Sequence, residues 1–367
     1  LTFEDDIPTF RQRVAQRMAE VNEAAGLDRD APGDPAVRAR VRTEVGVELF
    51  REEFGRDPVD EREVMGSIAR HSRPRTTAVA GFDLTFSPVK SVSTLWAIAD
   101  PKVSAAIERA HDQAVRDALA FLERTALFTR EGHKGVRQVE TRGLIGAAFT
   151  HRDSRAGDPD LHTHVAIANK VQTKDSGKWL SIDGRLLYKA NVAASETYNT
   201  ALEHHLRREL GLRFEARPST DRRKREIREI VGVDARLNER WSSRRASITT
   251  RQGELTREFH TDHGRPPTSI EAIALAQQAT LETRQAKHKP RTLTEQRAQW
   301  ADEAAQVLGG ERAVAAMTAT ALRQGWRITP TVDQAWMDST AVRIRDIVQS
   351  RRSHWQVWHV RAEALRQ

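Results

Sequence analysis

The stretch Phe149-Thr150-His151-Arg152-Asp153-Ser154-Arg155-Ala156-Gly157-Asp158-Pro159-Asp160-Leu161-His162-Thr163-His164-Val165-Ala166-Ile167-Ala168-Asn169 decides the fold. His162 and His164 are two apart in a strand-like run from Leu161 through Val171. On a strand, residues i and i+2 face the same side. Residues 153–160 hold Gly157, Pro159 and three Asp, which is turn chemistry. A simple hairpin centred between Ala156 and Gly157 pairs residues whose numbers sum to 313, so His151 falls opposite His162. Three imidazoles then converge on one face, a His₃ metal site with its other coordination positions open. The competing explanation is a polar hairpin with coincidental histidines. Imidazole nitrogens favour Mn, Ni, Cu or Zn over Mg or Ca. The expected cofactor is one divalent ion, its identity left open among Mn, Mg, Zn and Ni.

Upstream, Ala80-Gly81-Phe82-Asp83-Leu84-Thr85-Phe86 alternates apolar and polar, the pattern of a half-buried strand. Phe82, Leu84 and Phe86 face one way, Asp83 and Thr85 the other. A carboxylate beside a histidine cluster commonly accepts the second N–H of a ligating imidazole, so Asp83 is a candidate orienting residue, or a base. A solvated strand aspartate is the bland alternative. Ser87-Pro88-Val89-Lys90-Ser91 follows as a helix start, with Ser87 at the N-cap and Pro88 at the first helical position. Lys90 and two hydroxyls in that first turn would make a phosphate cradle, or the segment is an ordinary capped helix.

Further out, residues 102–128 carry Val103, Ile107, Ala110, Ala114, Ala118, Phe121 and Leu122 on one helical face. Strands are expected at 135–151, 161–172 and 178–182. A helix over 191–210 places Tyr198, Leu202, Leu206 and Leu210 at i+4 steps, and Gly211 suits the position just past its end. Residues 1–73 read as helical and structural, 74–216 as an α/β palm carrying the histidines, 217–290 as an all-helical basic clamp, and 291–367 as a further helical segment. The expected fold class is α+β, a largely antiparallel central sheet flanked by helices.

Composition narrows the function. The chain has 367 residues, no cysteine and a net charge of +8, from 59 Lys and Arg against 51 Asp and Glu. The absence of cysteine excludes disulfide scaffolds, thiolate metal sites and cysteine nucleophiles, and fits a reducing cytoplasm. No apolar run approaches the roughly 20 residues of a membrane span. Between Arg217 and Arg297 there are 18 basic and 11 acidic residues, so seven of the eight net charges fall there. All but three of the 18 are arginine, which grips phosphates bidentately and stacks on bases. Such a balance suits a polyanionic partner, with Arg222, Arg223, Arg225, Arg244 and Arg245 as the candidate contacts of this stretch. Solvated helix faces in an Arg-rich chain would look the same by charge alone.

Gly81-Phe82-Asp83-Leu84-Thr85-Phe86-Ser87-Pro88-Val89-Lys90-Ser91-Val92-Ser93 and the His151…His162-Thr163-His164 element together resemble the two central motifs of conjugative relaxases. They are most similar to the MobF, or TrwC/TraI-like, branch of the HUH endonucleases, in which a helicase follows in the same chain. Weaker similarity runs through Ala194–Leu210 and Arg228–Ile248, so the resemblance covers about 75–290. It implies a palm whose HUH-type histidines bind a metal, helical fingers that wrap single-stranded DNA, and strand-specific nicking at a plasmid origin of transfer. A tyrosine would attack the scissile phosphate and stay joined to the 5′ end. By resemblance His151, His162 and His164 are the ligands, Asp83 orients a histidine or assists the nucleophile, and Lys90 and Arg155 contact DNA near the cut. Relaxosome and coupling proteins of a conjugation system would be the partners.

One departure stands out. The family's nucleophilic tyrosines lie close to the N-terminus, whereas the two tyrosines here are Tyr188 and Tyr198, both past the histidines. The expectation is that the nucleophile lies on sequence upstream of Leu1. Three alternatives stay open: a His₃ metallo-phosphodiesterase, a single-stranded DNA-binding module, and a replication-initiator nuclease using Tyr188 or Tyr198.

Overall fold

The structure, a computed structural model, describes residues 9–72, 79–218, 226–286, 289–323 and 332–367. It divides into two units, 1–78 and 79–367. The first is three helices: α1 (Phe10–Ala24), α2 (Pro35–Phe54) and α3 (Glu61–Ser72). Thr9 closes a capping box with Gln12 at the start of α1, and Asp34 caps α2 ahead of Pro35. Phe10, Val14, Met18, Val41, Val45, Leu49, Val64 and Ile68 form its core. Gly46 lets α2 and α3 close together, because a Cβ there would meet Ile68 Cγ1 at 2.4 Å.

The second unit is built on a three-stranded antiparallel sheet in the order β1–β5–β4, where β1 is Gly81–Phe86, β4 is Gly146–Asp153 and β5 is Pro159–Ala168. The inward side chains of β5, namely Leu161, Thr163, Val165 and Ile167, are all buried. They pack against α4 (Lys90–Ile98), α5 (Pro101–Thr125) and α6 (Gly184–Leu210). Helix α4 is buried from Ser91 to Ala97, and α5 presents Ile107, Ala110, Ala114 and Ala118 to the core. Two short ribbons lie outside the sheet: β2 (Phe128–Glu131) with β3 (Arg137–Glu140), and β6 (Val171–Gln172) with β7 (Trp179–Leu180).

A third ribbon pairs β8 (Phe214–Ala216) with β9 (Arg228–Ile230). Beyond it come α7 (Ala235–Arg240), α8 (Ser243–His263), α9 (Ser269–Glu282), α10 (Leu293–Leu308), α11 (Glu311–Leu322), α12 (Gln334–Arg351) and α13 (Val357–Ala364). Trp241, Trp300, Ala304 and Ala321 of this region are fully buried in the same core as the sheet. The architecture is therefore the expected α+β class. Among the described residues, no helix is long and apolar enough to cross a membrane.

Three local expectations are corrected. The strand expected over 135–151 is two strands, β3 and β4, separated by residues 141–145. The 217–290 stretch is not all-helical, because β9 pairs back to β8. Ser87 and Pro88 do not start a helix: α4 begins at Lys90, with extended Val89 before it and no side-chain cap. Here a tertiary partner replaces local capping. Ser91 Oγ accepts from Ile230 N at 2.9 Å, and Ser91 N donates to Glu229 Oε2 at 3.1 Å.

Candidate metal centre

The β4–β5 hairpin turns on its own side chains. Ser154 Oγ accepts from the backbone N–H of Ala156 and Asp158, and Gly157 adopts φ +83°, which glycine alone takes freely. The ladder runs Gly146↔Ile167 to His151↔His162, every pair summing to 313 as the spacing predicts, with an irregularity between His151 and Asp153. His151, His162 and His164 consequently share a face. Their ring centroids lie 5.1–5.2 Å apart, and one nitrogen from each falls within 4.8 Å of the others. A metal bonded at about 2.1 Å to each nitrogen would need only small ring rotations to bring them in.

Hydrogen bonds fix which nitrogens are offered. His162 Nδ1 lies 2.7 Å from the Asp160 carbonyl, an acceptor, so that nitrogen carries the proton. His164 Nδ1 lies 2.9 and 3.0 Å from the two Asp83 oxygens, with Thr85 Oγ1 at 3.2 Å. Both rings thus keep an Nε2 lone pair for a metal, and the donor set suits a borderline divalent ion. Asp83 and Thr85 reach His164 because β1 pairs beside β5 with Thr85 opposite His164. Asp83→Ala is expected to weaken Mn²⁺ binding roughly ten- to hundredfold, as losses of such orienting carboxylates do, read by calorimetric titration.

A buried chain of hydrogen bonds lies behind this face. His111 of α5 is fully buried, and burial, together with the proximity of His162, pushes its imidazole down to about 4. Its Nδ1 is 2.8 Å from Tyr198 Oη and its Nε2 is 2.8 Å from Thr163 Oγ1. Burial raises the Tyr198 hydroxyl well above its ordinary value. Tyr188 is 82% exposed and lines a cavity of about 1050 Å³ that also includes Asp83.

The hairpin turn is held by the C-terminal helices. Asp158 accepts from Ser243 N and Oγ, both at 3.0 Å, at the start of α8. Asp153 accepts from Gln296 and Arg291, and the Gly157 carbonyl accepts from Trp300 Nε1 at 2.9 Å. A Cβ on Gly157 would meet Arg291 Nη2 at 2.9 Å, a contact the flexible arginine can relieve, so the positive φ is what calls for glycine there.

The basic candidates fare differently. Lys90 Nζ donates to the Pro159 carbonyl at 3.0 Å and sits 3.8 Å from Asp160, at the foot of β5. The first-turn N–H of Ser91 that would have greeted a phosphate is taken by Glu229. Arg155 donates to the Gln285 carbonyl. Arg222, Arg223 and Arg225 lie outside the described residues. Arg228, Arg236, Arg251 and Arg265 are tied to Glu203, Asp234, Glu282 and Glu271, so much of the local positive charge is neutralised within the protein. Arg244 and Arg245 form no ion pair among the described residues. They line a cavity of about 1170 Å³ that also includes Asp83, Thr85 and Lys90.

Two neighbours of the site were not singled out from sequence. Phe149 pairs opposite His164 on the ligand face and is 54% exposed. Its parity with His151 was the available signal. Glu229 carried none, because it reaches Ser91 across 138 residues.

A three-histidine face on an antiparallel sheet backed by helices is what the resemblance to conjugative relaxases implied, and solved structures of that class match. The conjugative relaxase TrwC in complex with oriT DNA, in its copper-bound form, is 29% identical with a TM-score of 0.50, covering 70% of this chain and 85% of that one. The metal-free TrwC–oriT complex is 26% identical with a TM-score of 0.51, covering 82% and 96%. The chain belongs to the TrwC relaxase family, which it matches over residues 13–307. The multifunctional conjugation protein TraI of Escherichia coli is 35% identical over 183 residues, which is 44% of this chain and 10% of that protein. TraI of strain K12 is 39% identical over 119 residues, 32% and 6% respectively. The matched stretch is thus a tenth or less of these curated relatives.

Proposed function

We propose that this protein is the strand-cleaving part of a conjugative relaxase, nicking single-stranded plasmid DNA at an origin of transfer. The observation that carries the reading is the three converging imidazoles, one held by Asp83, beside a groove that also includes Arg244 and Arg245. A tyrosine oxygen bonds to the scissile phosphorus, the P–O bond to the 3′ oxygen breaks, and that oxygen leaves as a 3′ hydroxyl while the 5′ phosphate stays on the tyrosine. A divalent ion held by the three histidines would supply positive charge to stabilise charge building on the non-bridging oxygens. Asp83 holds the His164 ring in the tautomer that presents Nε2. Arg244 and Arg245 hold backbone phosphates, with Lys90, Arg155, Arg222, Arg223 and Arg225 as further contacts.

Of the two tyrosines in the chain, Tyr198 does not suit the nucleophile, and Tyr188 is the alternative to an upstream one in this reading. Tyr198 is buried with its hydroxyl bonded to His111, and Tyr188 stands exposed on α6. The tyrosine is sought upstream of Leu1. Relaxosome and coupling proteins would be the partners.

The test incubates the protein, with upstream sequence restored, with a labelled origin oligonucleotide and Mn²⁺, and runs a denaturing gel. Scission with label migrating on protein supports the reading. Scission without it favours a metallo-phosphodiesterase, and binding without scission that survives chelation favours a plain DNA-binding module. Loss of the conjugate in Tyr188→Phe would move the nucleophile to Tyr188.

DNA binding is expected to weaken with salt. The log–log slope should fall by about 0.7 for each phosphate contact removed, so by about 1.4 in the Arg244→Glu, Arg245→Glu protein. Fluorescence anisotropy of a labelled single strand measures it, and an unchanged slope would remove these residues from the interface.

A further inference from the structure

Three buried side chains behind the histidine face, Tyr198, His111 and Thr163, run on to the exposed Thr150 in a continuous relay across four elements. Tyr198 of α6 meets His111 of α5 at 2.8 Å, His111 meets Thr163 of β5 at 2.8 Å, and Thr163 Oγ1 meets Thr150 Oγ1 of β4 at 3.0 Å. Thr163 stands between His162 and His164, Thr150 directly precedes His151, and the two threonines pair across the strands. By strand alternation both point away from the ligand face.

We propose that Tyr198, His111, Thr163 and Thr150 are positioning residues for the metal centre, setting from behind the register and separation of the two strands that carry the three histidines. The inference rests on His151, His162 and His164 being the ligands.

The direction of the relay follows from proton bookkeeping. Tyr198 is buried, and His111 Nδ1 is its hydrogen-bond partner among the described residues. If His111 Nδ1 carried the proton, the phenol O–H would be left without an acceptor, a costly state in a core. The phenol therefore donates to Nδ1. His111 Nε2–H then donates to Thr163, and the Thr163 hydroxyl donates to Thr150. Each member has one role, and the last hydroxyl belongs to the half-open edge strand. The arrangement explains why a histidine occupies a fully buried site on α5, where a helix packing against a sheet would otherwise carry an apolar residue. A ring with one donor and one acceptor nitrogen is the side chain that links a phenol to a hydroxyl in this direction. Replacing it leaves buried polar groups on both neighbouring elements.

Support beneath ligands matters because the bonds to a metal are short and directional. A small slide of β4 against β5 separates His151 from His162 without unfolding anything. β4 is an edge strand held by β5 alone, and its residues are exposed along nearly its whole length. The Thr150–Thr163 bond adds a side-chain pin at the pair next to the ligands.

The test uses calorimetric titration of the full chain with Mn²⁺. Thr163→Val keeps the β-branched shape and removes the hydroxyl, and it is expected to lower Mn²⁺ affinity about tenfold, the low end for groups acting through a ligand. Thr163→Ser is expected to restore it. His111→Phe provides a second break in the relay, with the same direction of effect. Leu237→Ala on α7, in the same core, is the control for general destabilisation and is expected to bind Mn²⁺ as the parent does. The proposal is overturned if Thr163→Val binds like the parent, if Thr163→Ser fails to rescue, or if Leu237→Ala loses as much affinity. A parent chain that binds no Mn²⁺, Zn²⁺ or Ni²⁺ would instead overturn the assignment of the histidines themselves.

Discussion

The His162→Ala protein is expected to lose its metal, with affinity falling on the order of 1,000-fold. Outer partners of a ligand cost ten- to hundredfold, and losing the ligand itself costs more. The ring of His162 lies 5.1 Å from that of His151 and 5.2 Å from that of His164. Its Nδ1 is already committed to the Asp160 carbonyl, so the side chain offers Nε2 in a fixed direction. Two remaining imidazoles cannot hold a borderline ion against solvent as three do. Thermal unfolding with and without Mn²⁺ reads the difference. At a concentration about 1,000 times the parent's Kd the metal should stabilise the parent by about 4 kcal/mol and the variant hardly at all. An equal shift in both proteins would mean that the metal binds elsewhere.

Trp300→Ala is expected to cost about 3–5 kcal/mol from lost packing. Trp300 is fully buried, its ring centroid 5.6 Å from that of Trp96 on α4, and its indole N–H donates to the Gly157 carbonyl. The truncation also leaves that carbonyl short of a partner, which adds about 1–3 kcal/mol. Because Gly157 lies in the turn joining the two ligand strands, the variant should also bind Mn²⁺ less tightly. Trp300→Phe separates the contributions, keeping most of the ring contact and losing only the hydrogen bond. Denaturant unfolding of the three proteins measures both costs. A loss under 1 kcal/mol in Trp300→Ala would show that α10 does not brace the hairpin.

The hairpin and its register were legible because both depend on local signals. A turn dense in Asp, Gly and Pro, with histidines of equal parity on either side, fixes which residues meet, and the pairing of His151 with His162 follows from arithmetic. The Asp83 strand was legible for the same reason. The start of α4 was not, because Ser91 is satisfied by Glu229 and Ile230, which arrive from 138 and 139 residues away. No local propensity encodes a partner at that distance. In the arginine-rich stretch composition gives the net charge but not which arginines stay unpaired: Arg251 and Arg265 face Glu282 and Glu271, whereas Arg244 and Arg245 form no ion pair among the described residues. Tyr198 read as one position of an apolar helix stripe and His111 was not singled out, and the bond between them becomes visible only when α5, α6 and β5 come together.

The bracing of the hairpin turn also orders events in time. Gly157 waits for Trp300, and Asp153 waits for Gln296, across 143 residues each. At about 5–20 residues per second of synthesis, the ligand strands emerge roughly 7–30 s before their braces exist. During that interval the turn that joins the two ligand strands lacks the partners that hold it. Contacts this distant in sequence also slow the final closure.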